Sequence, residues 1–590
     1  MNINKNFIAI LFLFLAVLAS YFNIFQNKFA WDDEFFIVEN INIRELSNVS
    51  QFFTEPSPGN LYRPLRGVFY SITYKMWHFN EFGYHLNSLL LQFFVTLTLF
   101  FTTLKLTDKK LFSFIASLFF AVHTIHTERV TNMTGTFDIF GILFFLLSFL
   151  FYIKFSKEKK KIFYFSSILF YILGIFSTEE AITLILILFL YEFSFNYKIN
   201  FENFKLLSKR CLPYIIITIF YLITRFFIVG QFGREEYYFE HSFFGTLLTT
   251  IKVFVEYILL LFFPLNLAVE RYVKFETSIF SPGFLVSLFA FALIFFFFIK
   301  SYKKSRLLFF SIGWFFITLL PFTNLFPQVT IMAERYLYLP SFGFCILLAI
   351  LLFQLEKINF MKKYKKNVAM IFLIFLIVFS YGILTIIRNA EWKDDFTLLS
   401  SDLQKNPYGT RIHHAIALHY RDKGDYENAF KYALRAVELS SKNYNAYENL
   451  GTILAYQKKY DEAIKFYKKS LEINPKFYLA LNNLGLVYSY SGDFNSSIFY
   501  IKKAVEVNPK LAKAHSDLGT VYAKIGKFDL AILEISKAIE INKYEADYYY
   551  NLALVYNYLN ESEKAVELLK KGLEFEPNNA KIKQKLGSIK

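Results

Sequence analysis

Two cysteines among 590 residues are too few for a disulfide framework or a cysteine-rich zinc module. Both, Cys211 and Cys345, stand inside apolar runs and read as small core hydrophobes. Glycine (22) and proline (13) are scarce enough to exclude a collagen-like chain, and a hydrophobic content of 55% excludes a disordered one. Charge is sparse as well: Asp, Glu, Lys and Arg make up 19% of the chain, yet they leave a net charge of +16. Few charges with so large an imbalance must be clustered, with long uncharged stretches between the clusters.

Phenylalanine (77) and tyrosine (41) dominate those stretches. Between residues 7 and 387 the chain repeats apolar runs of roughly 15 to 21 residues, close to what a helix needs to cross a bilayer core of about 30 Å. The first, 7-25, follows Lys5 and is expected to be an uncleaved signal anchor. Basic clusters at Lys109-Lys110, Lys157 to Lys161, Lys205 to Arg210, Lys300 to Arg306 and Lys357 to Lys366 mark the cytoplasmic side. All five share one side only if the run 246-263 does not cross. That run carries Lys252 and Glu256, four residues apart, a pair suited to a re-entrant or interfacial helix. The expected architecture of 1-388 is therefore an all-α polytopic membrane domain with about eleven spans plus that one helix. A linker follows at 389-406. The +16 then belongs largely to membrane topology, and no nucleic-acid partner is expected.

From Pro407 the composition turns charged and amphipathic, and a period of 34 residues appears. Gly451, Gly485, Gly519 and Ala553 share one register; Ala429, Ala463, Ser497, Ala531 and Ala565 share another. This is the tetratricopeptide pattern of paired helices, expected as an α-solenoid of about five repeats over 407-578 with a tail at 579-590. Just before the glycine register stand Asn449, Asn483, Asp517 and Asn551. Evenly spaced side chains of this kind can bond the backbone of an extended acceptor peptide without reading its sequence, or can simply be solvated.

The chemistry-bearing residues gather in the loops opposite the basic clusters, where polar groups at membrane depth mark a functional cavity. The first loop carries Asp32, Asp33 and Glu34 side by side, and a carboxylate there could act as general base toward a hydroxyl. Further along come Tyr62 and Arg63, the arginine biased to extended backbone by Pro64 and able to aim its guanidinium at a phosphate. The next loop holds His123, His126 and Glu128. These could bind a divalent metal, orient a phosphate or form a hydrogen-bonded network, and no fourth ligand stands at fixed spacing to favour the metal. Glu179 lies in a short turn. Glu334, Arg335 and Tyr338 lead into the run 340-356, with Arg335 a second candidate anion ligand.

Taken in order, Asp32-Asp33, Tyr62-Arg63-Pro64-Leu65, Phe82-Gly83-Tyr84-His85-Leu86, His123-x-x-His126-Thr127-Glu128, Glu334-Arg335-x-x-Tyr338-Leu339-Pro340 and Arg388-Asn389 with Trp392 resemble the transmembrane and tetratricopeptide repeat-containing O-mannosyltransferases. That family belongs to the GT-C superfamily of glycosyltransferases. The resemblance implies transfer of a sugar, typically mannose, from a polyprenyl or dolichyl phosphate carrier to Ser or Thr hydroxyls on the non-cytoplasmic side. It implies Asp32 or Asp33 as catalytic base, and Arg63, Arg335 and His126 near the donor phosphate. Glu34, Tyr62, His123, Glu128, Glu179, Glu334 and Tyr338 would support them, and no metal or other cofactor is expected. One position departs: Thr178 stands where relatives often have lysine. The expected setting is a cell membrane, bacterial by composition, with the repeats facing outward and the membrane lipids as surroundings. Two alternatives remain open from the sequence, a repeat-bearing membrane scaffold and a ligase or polymerase of lipid-linked oligosaccharide.

Overall fold

A computed structural model describes residues 3–230, 242–325, 328, 330–355 and 363–589. Among these the chain is helical, with one isolated bridge between Ser57 and Leu61 and no strand. Of the last basic cluster, residues 357–362 lie outside the described residues. The chain divides into two units, Met1–Asn406 and Pro407–Lys590.

Among the described residues of the first unit seven helices are long and apolar enough to cross a membrane, or eight if the bent pair Lys110–Val122 and Thr124–Thr131 is one span. This is consistent with a multipass membrane protein. Lys161–Ile175, Arg306–Phe322 and Ser341–Gln354 are shorter apolar helices. Phenylalanine serves two surfaces. Phe119 and Phe149 are fully buried, whereas Phe227, Phe289 and Phe372 point outward on helices whose surroundings would be lipid. Pro282–Lys304 and Val368–Glu391 stand at the periphery, with most of their apolar residues unburied. Hydroxyls inside the bundle are satisfied by backbone: Ser148 donates to the Ser167 carbonyl at 2.6 Å and Ser167 to that of Ser148 at 2.7 Å. In hydrocarbon an unsatisfied polar group costs several kcal/mol, so such reciprocal bonds fix how two helices meet.

The helix Phe243–Phe262 runs parallel to its successor, Pro282–Lys304. Thr249 accepts from the Glu276 backbone N–H at 2.9 Å beside the start of the second helix. Phe254 meets Phe291 with ring centroids 5.9 Å apart, and Ile258 and Leu261 share a cavity with Ile294 and Phe297. Two consecutive helices that run parallel require the chain between them to return, and residues 263–281 do so without helix. The 20-residue helix has the length and apolarity of a span, but its neighbour begins at the same level.

The second unit is built of helix pairs, Tyr444–Tyr456 with Tyr460–Ile473 and Tyr478–Tyr490 with Phe494–Val507 among them. The glycine register explains itself at Gly485: a Cβ there would lie 2.5 Å from Ile501 Cγ1 and 3.0 Å from the Ser497 carbonyl oxygen. Only a glycine lets the two helices of that repeat approach so closely. The last nine-residue helix, Ala580–Ser588, closes the stack by burying Ile582 against Ala546, Ala553, Ala565 and Leu569.

Candidate active site

The loop after the first helix, the helix starting at Pro64 and the turn at residues 123–138 converge on one cavity of about 100 Å³, which Glu180, Phe322, Arg335 and Tyr336 complete. The chain is bent by 51° at His123, which lets it turn inward before Gly135–Glu158 begins. Gly135 permits that turn, since a Cβ there would lie 2.5 Å from the Arg129 carbonyl oxygen and 2.8 Å from its Cα.

Asp32 and Asp33 part company at Trp31, a bulky residue held at φ +59° while its N–H donates to the Asp395 carboxylate at 2.6 Å. Left-handed backbone in such a residue is strained, and here it reverses the chain just ahead of the two acids. Asp33 turns inward. Its carboxylate accepts from Thr134 N–H and Oγ at 2.6 Å each, from Ala30 N–H at 3.1 Å and from Met133 N–H at 3.4 Å. It ties the first loop to the start of Gly135–Glu158. Burial pushes its carboxyl up to about 7 against the opposing pull of those bonds. Asp32 lines the cavity, half-buried, in no hydrogen bond or ion pair among the described residues. Glu34 is exposed at the start of a π-helical turn, Glu34–Val38.

Arg63, beside Pro64 at the helix start, is 94% buried. It donates to Glu179 at 2.8 Å and to Asp138 at 2.9 Å. Burial opposes its charge, but the two carboxylates outweigh burial and hold the guanidinium well above its ordinary value. Arg129 bonds Glu180 at 2.5 Å and the Arg335 carbonyl at 2.7 Å. Glu128 is bound twice by one residue, from the Arg335 guanidinium at 2.6 Å and its backbone N–H at 2.7 Å. Glu334 turns the other way, accepting from Ala268 N–H at 2.6 Å and Arg271 at 3.2 Å. Burial pushes its carboxyl up to about 7.

Of the residues expected from sequence, Asp32, Arg63, Glu128 and Arg335 face the cavity together. His126 does not line it: its Nε2 meets Ser341 Oγ at 2.8 Å and its ring packs on Phe120 and Tyr338. His123 accepts from Ile125 N–H at 3.1 Å and lies 3.0 Å from the Leu261 carbonyl. These contacts make the histidine pair part of a hydrogen-bonded network, and among the described residues no cluster of three or more His, Cys, Asp or Glu is placed for a metal. Tyr62 is buried with its hydroxyl on the Phe53 carbonyl at 3.2 Å, and the Tyr338 hydroxyl meets Gln92. Glu179 acts through Arg63. Sequence reasoning did not select Arg66, Arg129, Asp138 and Glu180 as site residues. Arg66 follows Arg63 by one helical turn, and that spacing was the signal available.

In the second unit the amide series is bonded from repeat to repeat. Asn483 donates to Glu448 at 2.7 Å, Asn482 to Asp517 at 2.7 Å and Asn551 to Ser516 at 3.1 Å. Asn449 is fully buried with Arg421 3.5 Å away.

The Tetratricopeptide repeat family matches residues 410–476, 444–510, 512–544 and 546–579. Mouse (Mus musculus) protein O-mannosyl-transferase TMTC3 is 24% identical over 76% of this chain and 52% of its own. Most of the chain is similar to the protein O-mannosyl-transferases. The Caenorhabditis elegans protein O-mannosyl-transferase F38B6.6 is 27% identical over 71% of this chain and 61% of its own. The chain thus spans between half and two thirds of the length of these protein O-mannosyl-transferases. Among solved structures, a thermophilic tetratricopeptide repeat protein of Thermus thermophilus matches 31% of this chain and 98% of its own at 19% identity and a TM-score of 0.29.

Proposed function

We propose that the chain is a membrane glycosyltransferase that moves a hexose, mannose by the names of its relatives, from a polyprenyl or dolichyl phosphate to Ser or Thr hydroxyls of proteins. One observation carries this reading: Asp32, in no hydrogen bond or ion pair among the described residues, faces a cavity that four arginines, Arg63, Arg66, Arg129 and Arg335, also line. The acceptor hydroxyl attacks the sugar's anomeric carbon with inversion while the bond from that carbon to the phosphate oxygen breaks. The electron pair of the broken bond stays with the departing phosphate, and the hydroxyl proton passes to Asp32. Arg335 stabilises the charge that grows on the phosphate. Arg335 is suited to it, because Glu128 and Asp32 outweigh burial and keep it charged.

Arg63 acts differently in this reading. With Glu179 and Asp138 both bound to it, it sets the floor of the cavity more than it offers charge to a ligand. The site lies opposite the basic clusters, on the non-cytoplasmic side, and the parallel pair Phe243–Phe262 and Pro282–Lys304 supports the re-entrant path this topology requires. The repeats hold acceptor protein in the same outer compartment.

The test is transfer of radiolabelled mannose from polyprenyl phosphate mannose to a Ser/Thr-rich peptide by the purified full chain. Product on the peptide, lost in Asp32→Asn, is the expected result; product on lipid-linked glycan instead would establish the ligase alternative.

A further inference from the structure

Among the described residues, Arg66 is the arginine on this cavity that no carboxylate reaches. It is 94% buried, and each of the other three wall arginines, Arg63, Arg129 and Arg335, is engaged by at least one acid. Its guanidinium carbon lies over the Phe36 ring, 3.9 Å from the centroid, and within 6 Å of the Tyr70 and Phe137 ring centroids. Its Nε–H is buried without a partner. An uncompensated buried cation is costly, and stacking on rings recovers only part of that cost. The Tyr70 hydroxyl takes one hydrogen bond from this guanidinium, which leaves the unpartnered Nε–H side of its fork, the edge that recognises an oxyanion.

Position adds to this. Arg66 stands one turn after Arg63 in the first turn of Pro64–Trp77, where the helix dipole favours negative charge. It also borders a smaller cavity behind Phe36, lined by Asn40, Gln51 and Ser57, so that it forms the wall between two hollows. We infer that Arg66 is the principal ligand of the donor's phosphate group, gripping two of its oxygens through the guanidinium edge, with Arg335 opposite. This rests on the donor being a phosphate ester, as proposed above, but not on sugar transfer itself.

Binding separates the two. The full chain in detergent is titrated with citronellyl phosphate, a short isoprenyl phosphate, and with citronellol, which has the same tail without the charge. Wild type should bind the phosphate at least tenfold more tightly than the alcohol. Arg66→Gln should remove that preference, while Arg66→Lys, keeping charge but losing the planar fork, should fall between. Loss of the preference in Arg66→Gln upholds the inference even if no sugar transfer is ever detected. Normal transfer with an unchanged KM for the donor in Arg66→Gln overturns it and leaves the role of Asp32 standing. Should Arg66→Gln fail to fold, Arg66→Lys decides: a threefold or greater weakening for the phosphate alone supports the inference, and wild-type binding overturns it.

Discussion

Arg335 holds Glu128 with two atoms at once, its guanidinium at 2.6 Å and its own backbone N–H at 2.7 Å. The pair clamps the segment before Ser341–Leu355 to the bent turn after Lys110–Val122, two parts of the chain more than two hundred residues apart. Glu128→Gln should therefore do more than weaken a surface contact. Removing one partner of a buried pair typically costs about 3–5 kcal/mol, and the partial exposure of the Arg335 side chain places this case toward or below the lower end. A drop in the detergent melting temperature of several degrees, with transfer reduced in parallel, is expected; an unchanged melting temperature would contradict the clamp.

The two neighbouring aspartates should separate by phenotype. Asp32→Asn is expected to abolish transfer with thermal stability unchanged, since that carboxylate bonds nothing in the described chain. Asp33→Asn is expected to lower stability, because an amide nitrogen would face donors that the carboxylate accepts, at about 1–3 kcal/mol for an unsatisfied buried group. Measuring both variants by melting temperature and turnover checks the assignment. Full activity in Asp32→Asn would refute it.

Stability should also depend on pH in a definite direction. Asp33 and Glu334 ionise at about 7 in the folded protein, against 3.8 and 4.5 for the ordinary side chains, so the folded state binds more protons across that interval. Where the folded state holds more protons, stability falls as pH rises, here from about pH 4 to about pH 7, and then levels. Melting curves across this range should show the fall, and replacing Glu334 by Gln should flatten it in part. A rise in stability across the same range, unaltered by that replacement, would count against both shifts.

In the repeats, Gly485→Ala places a methyl carbon 2.5 Å from Ile501 and 3.0 Å from backbone. Overpacking of this kind typically costs about 1–3 kcal/mol. Hydrogen exchange on the full chain should rise in Tyr478–Tyr490 and Phe494–Val507, and exchange identical to wild type would mean the helices can slide apart freely.

The repeat half was readable because its period is written in small residues that packing demands, at Gly485 and its equivalents. The helical class of the first unit was readable from apolar runs. What the residues did not disclose is which of two adjacent acids faces the cavity. That depends on the left-handed backbone of Trp31 and on Asp395, far along the chain. Nor could sequence separate Arg63 from Arg66. Both are arginines at the start of one helix, and only the packing of Glu179, Asp138 and Phe36 shows that one is matched by acids and the other by aromatic rings.

The bonds between successive repeats join positions 35 residues apart, but the partners differ at each step: acid with amide at Glu448 and Asn483, amide with acid at Asn482 and Asp517, hydroxyl with amide at Ser516 and Asn551. The units are alike in shape and unlike in what they offer their neighbours. Excising residues 478–511 would keep the helical phase yet set Glu448, a buried carboxylate, against the half-buried Asp517, two acceptors with no donor between them. The succession of repeats is thus not interchangeable, and each unit has its place in the stack specified by hydrogen-bond polarity.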